Sequence, residues 1–89
     1  MKHAGDPALD TIEPMLDALR TIAGMVEKKR GVFYRSSQAF LHFHEDPQGM
    51  FADVRIPSPS SDDEWQRLRT TTATEQRALI ALVKRALRT

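Results

Sequence analysis

The chain has no cysteine. That excludes a disulfide framework, a thiolate zinc site, iron–sulfur ligation and a cysteine nucleophile. It has no long hydrophobic run either. No stretch approaches the roughly 18–20 apolar residues that cross a bilayer, and Met1-Lys2-His3-Ala4-Gly5-Asp6-Pro7 lacks the apolar segment of a secretory signal. The expectation is a cytoplasmic protein. Charge of either sign is not in excess. Net charge is +1, which argues against nucleic acid as a partner. There is no phosphate-binding glycine loop or dinucleotide fingerprint, and no serine sits in a nucleophile elbow. Repeats and low-complexity tracts are absent.

What is present suits one small domain. A chain of 89 residues that is 40% hydrophobic and 28% charged can build one modest core. Residues 1–10 read as a flexible leader and 11–89 as a single α+β domain. Asp10 and Glu13 have capping-box spacing, and Pro14 suits a first helical turn. Ile12, Met15, Leu16, Leu19, Ile22, Ala23 and Val26 then recur at helical period. The spacing predicts one long helix running to a stop at Lys28-Lys29-Arg30-Gly31, with Gly24 inside it.

The period then changes to that of strands. Val32–Arg35, Gln38–Glu45 and Met50–Ile56 read as three antiparallel strands, joined at Ser36-Ser37 and at Asp46-Pro47-Gln48-Gly49. Pro57-Ser58-Pro59-Ser60 breaks regular structure. Ser61-Asp62-Asp63-Glu64 has capping-box spacing, and 65–71 fits either a helix or a fourth strand. Thr72 and Glu75 form another capping box, and Ala78, Leu79, Leu82, Val83, Ala86 and Leu87 make the stripe of a C-terminal helix. The fold expected is α+β: an N-terminal helix, a three- or four-stranded antiparallel meander and a C-terminal helix.

Parity assigns the faces of the meander. Residues directly opposed in an antiparallel pair share a face. An even loop at 46–49 sets Phe43 against Ala52 and Leu41 against Val54. A two-residue turn at 36–37 sets Tyr34 against Ala39 and Val32 against Leu41. One face then holds Val32, Tyr34, Ala39, Leu41, Phe43, Met50, Ala52, Val54 and Ile56, and packs on the helices. The other holds Phe33, Arg35, Phe40, His42, His44, Phe51, Asp53 and Arg55.

The second face is where chemistry would lie. Alternate residues on a strand point the same way, about 6.5–7 Å apart, so His42 and His44 can converge on one metal ion. Asp53, opposite His42, is a third ligand or an orienting carboxylate. His3, assigned to the leader, is left out of this set. Phe33, Phe40 and Phe51 with Arg35 and Arg55 form an apolar patch suited to a self-complementary homodimer interface. Trp65 reads as a core or interface anchor.

The stretch Gly31-Val32-Phe33-Tyr34, then Ala39-Phe40-Leu41-His42-Phe43-His44-Glu45-Asp46, then Gly49-Met50-Phe51-Ala52-Asp53-Val54-Arg55 resembles a hairpin found in small uncharacterised bacterial proteins. The resemblance covers roughly residues 31–56. It implies a bacterial cytosolic protein with a helix–meander–helix layout, and it brings no activity or site residue with it.

The residues thus favour a non-enzymatic interaction module that self-associates through the aromatic and histidine face, with no cofactor. The alternative is a metal-dependent small-molecule binder or enzyme using the His-x-His pair, with a divalent metal as its cofactor.

Overall fold

The computed structural model describes residues 1–56 and 64–88. Residues 57–63, with the proline segment and most of the Ser61–Glu64 capping box, lie outside the described residues. The domain is α+β, as the sequence predicts, with more strand than expected. In chain order it comprises β1 (Lys2–His3), α1 (Asp6–Asp10), α2 (Glu13–Arg20), β2 (Val26–Lys29), β3 (Val32–Arg35), β4 (Gln38–Asp46), β5 (Gly49–Val54), β6 (Gln66–Arg69) and α3 (Ala73–Ala86). Strands β2 to β6 form an antiparallel meander in sequence order, and β1 adds to β4. Among the described residues no helix is long and apolar enough to cross a membrane.

The single long N-terminal helix is corrected. Residues 6–20 form two short helices, Leu19 is the last fully buried residue of the predicted stripe, and Ile22 packs only partly against the core. Gly24 takes a positive φ of 102°, a conformation glycine adopts without steric cost, and the chain turns there instead of continuing. Val26 becomes an edge-strand residue, 59% exposed. The Arg30-Gly31 step is a two-residue hairpin turn, with Lys29 paired to Val32 and Gly31 at φ 78°. The Asp10–Glu13 capping box does not form. Both carboxylates bind Arg30 instead, and Glu13 also holds Arg20.

The flexible-leader assignment of residues 1–10 is also corrected. Lys2 and His3 pair with Glu45 and His44 of β4, and Leu9 on α1 is buried in the core.

The 46–49 turn closes as predicted. Asp46 pairs with Gly49, Phe43 with Ala52, Leu41 with Val54 and His42 with Asp53. Residues 66–69 take the strand alternative and extend the sheet beyond β5. The Thr72–Glu75 capping box forms in full at the start of α3.

One register is different. Tyr34 faces Ala39, but Phe33 faces Leu41 and Val32 faces His42, so Phe40 is the extra residue of a β-bulge. A bulge shifts parity along the strand. It turns Phe33 inward, and Phe40 is buried as well; they are 1% and 2% exposed. Their assignment to the second face is therefore corrected, as is that of Val32 to the first. The core gathers Leu9, Ile12, Met15, Leu16 and Leu19 from α1, α2 and their junction, Leu79 and Val83 from α3, and the inner side of the sheet. Burying side chains of this size stabilises by roughly 1.5–3 kcal/mol each.

Candidate metal centre

The helices cover one side of the sheet, so the other side carries the remaining chemistry. Strand alternation puts His42 and His44 there together, and β1 brings His3 alongside them. One ring nitrogen from each of His3, His42 and His44 lies within 4.8 Å of the other two. The ring centroids are 4.6 Å apart for His3–His44, 5.0 Å for His42–His44 and 5.7 Å for His3–His42. Imidazole nitrogens around a tetrahedral ion with bonds of about 2.0–2.1 Å sit roughly 3.4 Å apart. Ring rotations that close the cluster by up to about 1.4 Å would therefore complete a three-histidine site.

His42 and His44 are partly buried, and Nδ1 of each is shielded without a hydrogen-bond partner among the described residues. Buried polar atoms are nearly always paired, so two orphans in one cluster mark a site that a proton acceptor or an ion would complete. Burial is the main reason both imidazoles have pKa values below the ordinary 6.5. The Asp53 carboxylate opposes that shift, while the neighbouring imidazoles reinforce it. Both rings are therefore neutral at physiological pH, the form that binds metal.

Asp53 sits behind the cluster. Arg67 grips it through two hydrogen bonds, Nε to Oδ1 at 2.8 Å and Nη2 to Oδ2 at 2.9 Å. Burial works to raise the Asp53 pKa, but Arg67, by hydrogen bond and by charge, outweighs it and holds the carboxyl below its usual range. Oδ2 also lies 3.2 Å from His44 Nδ1, off the line of a hydrogen bond. A small rotation would let Nδ1–H donate to it, leaving Nε2 for an ion. That is the carboxylate–histidine–metal arrangement. With both oxygens bound to Arg67, Asp53 suits the orienting role better than that of third ligand.

Trp65 closes one side. Its ring is 4.9 Å from that of His42, edge to face, and the Arg55 guanidinium lies 4.4 Å over it. Arg55 is itself fixed, donating to the Ala39 carbonyl at 2.7 Å and to Glu64.

The proposed interface residues separate. Phe51 stays half-buried on the outer side opposite His44, with Arg69 over its ring, and Arg35 lies beside Phe40. Phe33 and Phe40 are in the core. Of the three phenylalanines expected in the patch, Phe51 alone stays on the outer side.

Sequence reasoning missed His3 and Arg67. A two-residue strand has no periodicity to detect. Arg67 was legible only through the strand reading of 65–71, where alternation sets it opposite Asp53. No family model matches this chain, and no match is found among curated proteins or solved structures.

Proposed function

We propose that this domain binds a divalent transition metal of the zinc class through His3, His42 and His44. Asp53 orients His44, and the fourth position is open to an exogenous ligand. The observation that carries the reading is the convergence of a third imidazole, from a strand distant in sequence, on two neutral imidazoles with buried unpartnered nitrogens. Three imidazole nitrogens without thiolates suit zinc, cobalt, nickel or copper rather than magnesium or calcium. Three protein ligands and one vacant position are the pattern of sites that bind or activate a small molecule. The burial of Phe33 and Phe40 favours this reading over self-association, because it removes two of the three phenylalanines that an outer-face interface would use.

Zinc titration of protein purified without an affinity tag tests this. One zinc per chain and a rise in melting temperature are expected, since a ligand that binds only the folded state stabilises it. His3→Ala should weaken zinc binding by more than about tenfold, at least the loss typical of removing an outer-shell partner. Absence of a thermal shift with zinc, cobalt and nickel alike would overturn the proposal.

A further inference from the structure

β5 occupies one edge of β4 along residues 41–46, so β1 and β3 share the other. They lie end to end: Val32 faces His42, and His3 faces His44. The last bond from the β1 side runs from the Ala4 amide to the Phe43 carbonyl, at 3.1 Å. Between the two strands the sheet has a gap, and a cavity of about 200 Å³ occupies it. Its walls include Leu9, Val32 and Phe43, and His3, Lys29 and Arg30 also line it. His3 therefore belongs both to the histidine cluster and to this gap.

The lining is amphiphilic in a directed way. Leu9 and Phe43 are buried core residues, so the inner end is apolar. The Arg30 guanidinium is already engaged by Asp6, Asp10 and Glu13. Lys29 forms no ion pair among the described residues. A ligand with one negative charge would find a metal and Lys29 at the outer end. A second negative charge would meet the three carboxylates around Arg30. The volume has room for several waters, which admits a chain of a few carbons.

We propose that the gap holds the aliphatic tail of a small monocarboxylate, whose head takes the open metal position beside Lys29. This rests on the metal reading of the three histidines. The test uses full-length protein saturated with cobalt(II), whose visible spectrum responds to a change of ligand, titrated with acetate and with butyrate. Butyrate should bind saturably and about tenfold more tightly than acetate, as two buried methylenes allow. Val32→Phe, which fills the gap, should bring butyrate down to the level of acetate. Val32→Ala should shift the preference toward hexanoate. Lys29→Ala, at an exposed position, should weaken both acids by up to about fivefold. Equal affinities for acetate and butyrate, or a butyrate preference that both Val32 variants leave unchanged, would overturn the pocket and leave the metal site standing. Failure to bind cobalt would remove the metal site, and the pocket with it.

Discussion

The two faces of the sheet follow opposite rules, although they are built from the same strands. On the inner face the cross-strand rows are apolar at their centre: Phe33, Leu41 and Val54 in one, flanked by Glu27 and Gln66, and Phe43, Ala52 and Leu68 in another. On the outer face the rows read Val32, His42, Asp53, Arg67 and His3, His44, Phe51, Arg69. At their centre the inner rows are buried, while Leu68 at the β6 end is partly exposed. The outer rows set His42 and His44, whose pKa values burial holds down, beside an Asp53 carboxylate that Arg67 keeps charged. The contrast divides the sheet into a side that carries the core and a side that carries the histidine cluster.

Neighbours on opposite faces break or sharpen that contrast most directly. Leu41 and His42 are adjacent, yet Leu41 is 0% exposed in the core. Leu41→Ala should cost about 2–5 kcal/mol of unfolding free energy, while His42→Ala should cost under about 1 kcal/mol and abolish tight zinc binding. Urea denaturation of both variants checks this. Equal losses would erase the distinction between the faces.

A second comparison stays on the outer face. Asp53→Asn keeps the shape but removes the charge that faces His44 and Arg67. Metal affinity should fall by about 10–100-fold, measured by competition with a chelator, while Arg67, half exposed, stays solvated. An unchanged affinity would show that Asp53 has no orienting role.

Thr70 tests the inner rule. It is fully buried, and its hydroxyl has no partner among the described residues. Replacing an unsatisfied buried hydroxyl by a methyl should be neutral or stabilising, so Thr70→Val should raise stability by up to about 1 kcal/mol. A clear loss would show that the hydroxyl is satisfied.

The smallest effect lies at the β2 end of the inner row, where Glu27 faces Phe33. Glu27 is held below the ordinary glutamate pKa of 4.5, chiefly by its hydrogen bonds from Arg20, with burial opposing. A depressed folded pKa means that its contribution is present above the unfolded value and lost as pH falls through the folded one. The melting temperature should therefore drop on acidification below about pH 4.5, and Glu27→Gln should flatten that limb of the curve. Identical slopes would remove Glu27 as a contributor.

Much of this was legible in the chain. Asp46-Pro47-Gln48-Gly49 specifies its turn, and apolar alternation on both sides admits only the register that buries Leu41 and Phe43. Two features were not legible, for different reasons. Helical spacing past Leu19 is real, but the helix stops at Arg20 and the chain turns at Gly24, because a strand paired to β3 gives residues 26–29 backbone bonds that a frayed helix end would lack. The bulge at Phe40 left no local mark either. Phe33 and Phe40 are both large and apolar, and the core gains more by burying them than regular pairing would preserve.

The sequence by itself determined that this is an α+β domain without thiol chemistry, and that His42 and His44 share one side of a strand with Asp53 opposite. These are consequences of composition and of the two-residue period, and they need no knowledge of distant contacts. Only the tertiary structure decided that His3 completes the cluster, that Arg67 holds Asp53, and that a gap beside His3 opens between β1 and β3. Each depends on which strands share an edge of β4 or β5, and strand adjacency is set by packing across the whole domain rather than by any local pattern.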